Sequence, residues 1–393
     1  MLEKFREKIF IQILKKIKYG KLYLTLPNKT QIIFVGKNNG PDAELDINNH
    51  EGIKNILSDG KMGFCESYIK GYINSNSLSN LIHLSVLHNS YIEKKMSFDK
   101  VNNFIRKFKH WRNSNSVSNS LKNISYHYDL GNSFYSKWLD NSMTYSSAVF
   151  EKNTDTLDIA QKNKYKKIAE LANIQESDTV LEIGCGWGGF LEFVALEIKA
   201  KIKGITISRE QYKYAKNRIK KLNLENYVNI EFLDYRHLNE KFDKIISIEM
   251  FEAVGEKYWK NFFNIIANSL NKNGKSVLQT ITIDSKEFKS YRENPDFIQQ
   301  YIFPGGMLPP MNKIEKIINL SELNIISHKS YAMDYAQTLK NWKKRFNKAW
   351  PKLSISNEYD ENFKRIWDLY LSYCEGGFKG GMIDVKQILI EHK

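Results

Sequence analysis

The sequence predicts an α/β protein in which a doubly wound, mostly parallel sheet follows a small α+β domain. Strand and helix patterns alternate regularly in the second part of the chain, as they do in parallel sheets. A glycine-dense turn between a strand and a helix pattern lies at Thr179–Phe190. The stretch 107–122 is polar, small and unpatterned, which is typical of a linker. We therefore expect domains at 1–106 and 123–393, joined by a linker at 107–122.

Composition limits the classes of protein that the chain can belong to. It has 393 residues, of which 42% are hydrophobic, and no apolar run of the roughly 18 residues that a membrane-spanning helix needs. Its first twenty residues lack the unbroken apolar core of a signal peptide. Three scattered cysteines fit no metal-ligand pattern and favour a reducing, cytoplasmic location (Cys65, Cys185 and Cys374).

The formal net charge of +15 suits an anionic partner. A nucleic acid and an anionic membrane surface both qualify. The excess of Lys and Asn could equally reflect the base composition of the genome. Charge alone therefore leaves the partner open.

The first hundred residues predict a small α+β domain without a catalytic constellation. Residues 1–20 have an apolar stripe and a basic remainder, so this helix can lie on an anionic bilayer or pack on its own domain. Two strand patterns follow at Leu22–Leu26 and Gln31–Val35. Helical periodicity covers Asn55–Leu87, with breaks at three glycines (Gly60, Gly63 and Gly71).

The larger domain alternates strands and helices. Strands are predicted at Val180–Ile183, Ile202–Ile207, Val228–Phe232, Lys244–Ile248 and Ser276–Ile283, with helices between them from Phe190 to Ile198, Glu210 to Leu222 and Lys257 to Leu270. A ligand of such a sheet binds at the carboxyl ends of the strands. In this chain those ends lie near Gly184, Ser208, Asp234 and Glu249.

The glycine-dense turn has the form of a nucleotide-binding loop. Gly184-x-Gly186-x-x-Gly189 satisfies the dinucleotide fingerprint, which alone is weak evidence, and a turn without any ligand is the simplest alternative. Glu182 precedes the first glycine by two residues, where an S-adenosylmethionine (AdoMet) enzyme places an acid facing its nucleotide. The next strand ends in Thr206-Ile-Ser208, without the acid that an NAD site uses for its ribose. AdoMet is therefore favoured over NAD.

Eight unusual motifs recur in order along the chain. They are His127-Tyr-Asp-Leu-Gly-Asn132, Met143-Thr-Tyr-Ser-Ser-Ala148, Gly204-Ile-Thr-Ile-Ser-Arg-Glu-Gln211, Asp234-Tyr-Arg236, Ser247-Ile-Glu-Met-Phe-Glu-Ala-Val-Gly255, Tyr301-Ile-Phe-Pro-Gly-Gly-Met-Leu-Pro309, Tyr335-Ala-Gln-Thr-Leu-Lys-Asn-Trp342 and Tyr373-Cys-Glu-Gly-Gly-Phe378. Together they resemble the cyclopropane-fatty-acyl-phospholipid synthase family, whose members are class I AdoMet-dependent transferases with a Rossmann-like fold. The resemblance runs from about residue 123 to the end and is weaker over the N-terminal domain.

The resemblance implies a reaction at the C=C bond of an unsaturated phospholipid acyl chain. Methyl transfer leaves a carbocation, which must be kept from water until a base takes a proton and a ring closes. Aromatic side chains stabilise cations and exclude solvent, and 13% of the residues are aromatic, although aromatics also fill ordinary cores.

In the family the base is a bound bicarbonate ion. The resemblance places its site at Glu252, Tyr335, the backbone N–H of Ile281, Ser147 in place of a cysteine, and Gln279 in place of a histidine. A glutamine can donate a hydrogen bond to an anion but carries no charge and relays no proton. We therefore expect an altered anion site, with the deprotonation step as the point where this protein differs.

For AdoMet, the resemblance implies contacts along its whole length. Tyr145 and Ser146 fall at the methionine end, Gly184, Cys185 and Gly186 in the loop beside Glu182, Thr206, Ser208 and Gln211 on the ribose side, and Asp234, Tyr235 and Arg236 at the adenine. Asp234 is a candidate acceptor for the exocyclic amine. Cys185 is expected to be small filler rather than a nucleophile, because no histidine partner is evident.

Other functions remain open at the level of sequence. The product could be a methyl or methylene branch instead of a ring, and a small-molecule or nucleic-acid methyltransferase could share the fold. A degenerate, binding-only member is a third class, but the loop, Glu252 and Tyr335 are intact. The base-flipping motifs of nucleic-acid methyltransferases are absent from the sequence, so no nucleic-acid partner is expected. The expected protein is a homodimer in peripheral contact with the anionic inner face of the membrane.

Overall fold

The computed structural model describes residues 2–88, 130–356 and 359–393. The predicted linker at 107–122 and the start of the first family motif, including His127, lie outside these ranges. Within the described residues, contacts group the chain into two compact units. Of the described residues, the first takes in those within 2–88, 293–302 and 339–382, and the second takes in 130–292, 303–338 and 383–393. Two stretches that the sequence assigned to the catalytic domain, 293–302 and 339–382, thus group with the first unit.

The described residues form twelve α-helices and eleven strands. In chain order they are α1 (Leu2–Leu14), β1 (Tyr19–Thr25), β2 (Gln31–Val35), β3 (Asn38–Ile47), α2 (His50–Ile69), β4 (Ile73–Asn74), α3 (Leu78–Leu87), α4 (Gly131–Tyr135), α5 (Leu157–Ala172), β5 (Thr179–Ile183), α6 (Gly189–Phe193), β6 (Lys201–Thr206), α7 (Arg209–Lys221), β7 (Val228–Phe232), β8 (Phe242–Ile248), α8 (Trp259–Ser269), β9 (Leu270–Ile283), α9 (Phe288–Glu293), α10 (Met311–Asn319), β10 (Leu323–Ser330), α11 (Ala332–Leu353), α12 (Glu361–Lys379) and β11 (Ile383–His392). Short π and 3₁₀ turns connect several of them. No helix in the described ranges is long and apolar enough to cross a bilayer.

The first unit is built on a four-stranded sheet in the order β2-β1-β3-β4. Strand β1 pairs antiparallel with β2 and parallel with β3, so the unit mixes helices with a mixed sheet. The predicted strands at Leu22–Leu26 and Gln31–Val35 correspond to β1 and β2. The predicted break at Gly60 is observed as a kink within α2, where the backbone is non-helical (φ 54°, ψ −124°).

Helix α12 joins the first unit because glycines let it approach α3 closely. A Cβ on Gly376 would lie 2.6 Å from Cβ of Ile82, and one on Gly380 would lie 2.4 Å from Cγ1 of Val86. Arg365 also donates hydrogen bonds to the backbone carbonyls of α2 and β4. These contacts join residues nearly 300 positions apart, which local sequence patterns do not reveal.

The second unit contains a seven-stranded sheet in the order β10-β11-β9-β8-β5-β6-β7. Strands β9, β8, β5, β6 and β7 are parallel, while β11 pairs antiparallel with both β9 and β10. The central strands β5 and β8 are buried over nearly their whole length, as expected of parallel strands covered on both faces. The predicted α/β class with a mostly parallel, doubly wound sheet is confirmed.

The predicted parallel strands correspond to observed ones, while the strands at the far edge were not predicted. Strand β7 has the predicted bounds, and β5, β6, β8 and β9 differ by one to six residues at one or both ends. The predicted helix to Ile198 is α-helical only to Phe193 and continues as a π turn. Strand β10 is exposed over its second half, so it lacks the apolar pattern that marks a buried strand.

Candidate active site

The glycine loop between β5 and α6 has the backbone that a nucleotide-binding turn requires. Gly184 and Gly186 have φ of +84° and +53°, in the left-handed region that favours glycine. A Cβ on Gly184 would lie 2.6 Å from Cγ of Met250, whereas one on Gly186 would meet open space. The N–H groups of Gly184 and Cys185 donate to the carbonyl of Ile205, at 2.9 and 3.0 Å, which ties the loop to β6.

Cys185 lies inside this loop as a buried thiol. Burial raises its pKa well above the ordinary value, so the thiolate that a nucleophile needs is disfavoured. The side chain packs with the core of the sheet, where Gly204 and Leu191 are its neighbours. These observations support the expectation that Cys185 is filler.

Glu182 is a buried acid at the end of β5. Its side chain is buried, and its Oε2 atom has no hydrogen-bond partner among the residues that the structure describes. Burial raises the pKa of Glu182 to about 8, and the positive charge of Lys164 opposes that shift. A buried acceptor without a partner is costly unless a ligand satisfies it, so Glu182 fits a polar group of bound AdoMet.

Lys164 on α5 supports the expected methionine end of AdoMet. Its fully buried Nζ atom donates to Oγ of Ser146 at 2.7 Å, and Gln161 donates to the carbonyl of Ser146 at 2.9 Å. Burial lowers the pKa of Lys164 to about 8. The ring of Tyr145 packs against aromatic rings 5.4 to 6.5 Å away, on Tyr135, Trp138 and Phe303. Tyr145 and Ser146 are therefore held in place by neighbours that belong to the same unit.

The three residues expected at the ribose form one hydrogen-bonded cluster at the end of β6. Ser208 caps α7 and accepts from the N–H of Gln211 at 3.3 Å, while its own N–H donates to Oγ1 of Thr206 at 3.2 Å. Thr206 also donates to Oε1 of Gln211 at 3.1 Å. All three are buried. Their mutual contacts place them together, as the sequence predicted for neighbours along one strand end.

The residues expected at the adenine lie at the end of β7. Arg236 donates from Nε and Nη2 to the two carboxylate oxygens of Asp234, at 2.9 and 2.6 Å. Burial alone raises the pKa of Asp234, but the hydrogen bonds from Arg236 outweigh it and the net shift is downward. The ring of Tyr235 packs edge-on against Phe262. Asp234 is thus an ionised acceptor whose two oxygens already bind Arg236, and its contact with adenine stays a prediction.

The residues expected to bind bicarbonate surround a carboxylate that the chain itself supplies. Glu249 follows β8 directly, and its Oε1 accepts from the N–H of Ser147 and from Nε2 of Gln279, both at 2.8 Å. Its Oε2 accepts from the hydroxyl of Tyr335 at 2.6 Å. Three of the five predicted anion-site residues therefore donate to Glu249.

The other two anion-site residues contact each other. The N–H of Ile281 and the hydroxyl of Thr280 (2.9 Å) both donate to Oε1 of Glu252, while its Oε2 has no hydrogen-bond partner within the described part of the chain. Burial, and after it the nearby charge of Glu249, raise the pKa of Glu252 to about 8. Near neutral pH Glu252 is thus mostly protonated. The chain places all five predicted residues in one buried site.

Sequence patterns left three residues of this site without a role. The sequence indicates only that Glu249 lies at the ligand-binding edge of the sheet. It gives no role to Lys164 or to Gln387 on β11, which donates to Oε1 of Gln279 at 3.0 Å. Lys164 falls on the buried face of α5 with Ala160 and Ile168, four positions away on either side. A lysine on an apolar helix face is a signal that could have identified it.

Comparison with known proteins shows the class and the family. A profile of the mycolic acid cyclopropane synthetase family matches residues 115–388. The chain is 33% identical to a cyclopropane-fatty-acyl-phospholipid synthase of Escherichia coli strain K12, over 90% of this chain and 88% of that protein. It is also 33% identical to the tuberculostearic acid methyltransferase UfaA1 of Mycobacterium tuberculosis, over 84% of this chain and 78% of that protein.

A solved structure agrees with these matches. The mycolic acid cyclopropane synthase CmaA1 complexed with SAH and CTAB superposes with a TM-score of 0.64 and 27% identity, covering 70% of this chain and 98% of that one. Fold and site thus define an AdoMet-dependent transferase of class I. More particularly, the chain belongs to the mycolic acid cyclopropane synthetase family. The predicted family, fold and enzyme class are confirmed.

Glu182→Gln tests the AdoMet site. Glutamine keeps the shape of the side chain but replaces one carboxyl oxygen with an amide nitrogen that cannot accept a hydrogen bond, so we expect AdoMet to bind about tenfold more weakly, the usual scale for one hydrogen bond. Isothermal titration with AdoMet measures the change. Glu170→Gln, the same substitution at an exposed position of α5, is the control. Equal affinity in the Glu182 variant and the wild type would contradict the assignment.

Glu252→Gln tests the buried acid through the pH dependence of stability. An unfolded glutamate loses its proton near pH 4.5, whereas Glu252 keeps it to about pH 8 in the folded state. The folded state therefore binds more protons across this window, and its stability falls as pH rises. Glutamine stays neutral and can accept the same hydrogen bonds, so the variant gains stability relative to wild type between about pH 5 and about pH 8. Melting temperatures that differ by a constant amount at all pH values would be the contrary result.

Proposed function

We propose that this chain transfers the methyl group of AdoMet to a C=C carbon of an unsaturated phospholipid acyl chain and closes a cyclopropane ring. The observation that carries the proposal is the buried site beside the glycine loop, where Ser147, Gln279 and Tyr335 hold a carboxylate. The relative of Escherichia coli that covers 90% of the chain, a cyclopropane-fatty-acyl-phospholipid synthase, supports the substrate class.

The chemistry needs a dry site with a base. AdoMet supplies an electrophilic methyl group, and the π electrons of the alkene attack it without losing a proton first. The product of that attack is a carbocation, which water would capture. Tyr335 is buried, as is the Oε2 atom of Glu252, and the ring of Phe303 lies 6.5 Å from that of Tyr145, which is expected at the methionine end of AdoMet. Burial and ring faces exclude water and favour a cation.

The bicarbonate ion that the resemblance implies does not fit the anion site of this chain. Its donors would be the N–H of Ser147, Nε2 of Gln279 and the hydroxyl of Tyr335. All three donate to Glu249, whose two carboxyl oxygens occupy the place that the oxygens of such an ion would take. A bicarbonate ion there would find its donors already engaged and would lie against the oxygens of Glu249. We therefore assign no step of the proposed reaction to bicarbonate.

A C-methyltransferase that leaves a methyl or methylene branch is the alternative function. It shares every step up to the carbocation and differs only in which proton the base removes. The sequence identity to UfaA1, a tuberculostearic acid methyltransferase, is 33%, the same as the identity to the cyclopropane synthase. Gln279, where the family has histidine, belongs to the anion site, and the resemblance assigns the removal of the proton to that site. The substitution is the specific observation that favours this alternative.

Lipid analysis distinguishes the two products. The protein is expressed in a bacterium without its own cyclopropane synthase, and phospholipid acyl chains are examined by mass spectrometry before and after catalytic hydrogenation. We expect chains that gain one CH₂ unit and resist hydrogenation at the modified site, because a ring has replaced the double bond. A gain of one CH₂ with an alkene still present identifies the branching enzyme. Lipids without any gain would refute a transferase acting on these chains.

We also propose that α1 contacts the anionic inner face of the membrane during the reaction. Leu2, Phe5 and Ile9 are exposed by 70%, 61% and 38% of their surface, while Phe10 is buried. Lysine and arginine side chains alternate with these residues along the helix (Lys4, Arg6 and Lys8). Exposed apolar and basic residues on one helix are the features of an interfacial helix. The proposal of a homodimer rests on the resemblance alone.

Phe5→Glu tests this contact. Replacing an exposed aromatic residue with an acid removes apolar area and adds repulsion, so binding to vesicles that contain anionic phospholipid should weaken at least about tenfold. Co-sedimentation with such vesicles measures it, and binding of the wild type should fall as salt rises. Ile33→Glu is a matched control, because Ile33 on β2 is exposed to a similar extent (59%). Wild-type binding that is indifferent to both anionic lipid and salt would contradict the contact.

A further inference from the structure

We infer that Glu249 is the base of this reaction, a carboxylate built into the chain at the place where a bicarbonate ion was expected. The inference deepens the proposed function and rests on it. Glu249 has a shape and charge that match bicarbonate, since both present two oxygens of a planar, singly charged group. With its own carboxylate in that position, the enzyme needs no bicarbonate.

The hydrogen bonds to Glu249 come from the donors that an anion in this site would use. Ser147 and Gln279 donate to one oxygen, each at 2.8 Å, and Tyr335 donates to the other at 2.6 Å. Donors from three separate segments of the chain converge on this side chain. A surface glutamate that merely pairs with a neighbour would not organise such a site.

The donors are themselves held in position. Gln387 donates to Oε1 of Gln279, which turns the amide nitrogen of Gln279 toward Glu249. The first turns of α11, which carry Tyr335, accept hydrogen bonds from the backbone after Ser147. Thr338 accepts from the N–H of Ala148 at 3.0 Å, and Asp334 accepts from that of Phe150 at 2.7 Å. The site is therefore preorganised by contacts outside it.

The backbone at Glu249 is strained in a way that serves this placement. Its φ of +50° lies in the left-handed region, which a residue with a Cβ rarely adopts. Its N–H donates to the carbonyl of Gln279 at 2.8 Å, which holds the turn against β9. The next residue, Met250, packs against Gly184 of the nucleotide loop. Strain of this kind clusters at functional sites, and here it holds the carboxylate beside the loop.

The charges around Glu249 give the two acids of the site different roles. The groups that bear on it are Lys164, Glu252 and Tyr335. Burial raises the pKa of Glu249, while hydrogen bonds from Tyr335, Gln279 and Ser147 act against this, and the net shift is upward. Three hydrogen bonds stabilise the ionised form of Glu249, whereas burial and then the charge of Glu249 raise the pKa of Glu252 to about 8. A buried carboxylate with a raised pKa is a better proton acceptor than an exposed one.

The reaction balances with Glu249 as the only added base. The π electrons of the alkene form a bond to the methyl carbon as its bond to sulfur breaks, and the adjacent carbon becomes cationic. The Glu249 carboxylate removes a proton from the new methyl group, and the electron pair of that C–H bond closes the ring. The products are the cyclopropane, S-adenosylhomocysteine and one proton, which Glu249 later releases to water. Removal of a proton from a neighbouring chain carbon gives the alkene-bearing branch instead.

Two substitutions at position 249 test the inference by turnover in buffer freed of carbon dioxide. Glu249→Gln keeps the shape but not the base, and Glu249→Gly suits the left-handed backbone and opens the anion site. Wild type should form product at the same rate with and without added bicarbonate. Both variants should lose about 100-fold or more in rate without it. Added bicarbonate should restore Glu249→Gly at least in part, because the three donors remain, and should not restore Glu249→Gln.

A binding measurement decides the occupant of the site independently of turnover. Carbon-13-labelled bicarbonate is titrated with each protein, and line broadening in its NMR spectrum reports binding. We expect binding by Glu249→Gly and none by wild type, Glu249→Gln or the surface control Glu170→Gln. Bicarbonate that binds or accelerates the wild type, or a fully active Glu249→Gln, would overturn the inference. If wild type converts no unsaturated phospholipid, the proposed function fails, while the binding result still shows whether Glu249 fills the anion site.

Discussion

A single buried carboxylate, that of Glu249, connects the parts of the chain that make the reaction site. It accepts hydrogen bonds from Ser147, Gln279 and Tyr335, which come from a loop, a strand and a helix. An ionised carboxylate in a buried site is costly without such donors, and each donor would be costly without an acceptor. The loop, the strand and the helix that carry these donors are therefore held at positions from which each donor reaches the carboxyl group of Glu249.

The AdoMet side of the site is held by a second buried charge. Lys164 donates to Ser146, and its charge bears on both Glu182 and Glu249. The charge of one lysine thus influences acids both at the expected cofactor end and in the anion site. This arrangement lets the protein keep several acids in a dry interior, where their pKa values differ because their donors differ. Counting donors from the described residues alone, Glu249 has three, whereas one oxygen of Glu252 and one of Glu182 have none.

The relation between family and individual protein is visible in these residues. The glycine loop and the ends of the parallel strands match the family that the profile identifies over residues 115–388. The anion site differs, because a glutamine replaces the expected histidine and a glutamate side chain occupies the centre. The family resemblance therefore indicates the methyl donor, whereas the base that we infer, Glu249, is one that the resemblance does not indicate. The physical reason for this difference is that a nucleotide-binding loop requires a particular backbone conformation, whereas a negative charge can be supplied by a bound ion or by a side chain.

Local sequence patterns were sufficient for the parallel strands and the nucleotide loop, whereas the residues around the anion site came from the family resemblance. Alternation of buried strands with amphipathic helices depends on neighbours along the chain, and so does a turn that needs φ above zero at Gly184. Even the closeness of Thr206, Ser208 and Gln211 follows from one strand end.

The tertiary structure alone decided which atoms meet. The pairing of Gln279 with Gln387, the packing of α12 on α3, and the convergence of three donors on Glu249 join residues about 30 to 300 positions apart. Such contacts leave no periodic trace in the sequence, because each depends on how strands and helices fold back across the molecule. The sequence by itself therefore determined the fold and the methyl donor, and only the folded chain placed a carboxylate of its own where an anion was expected.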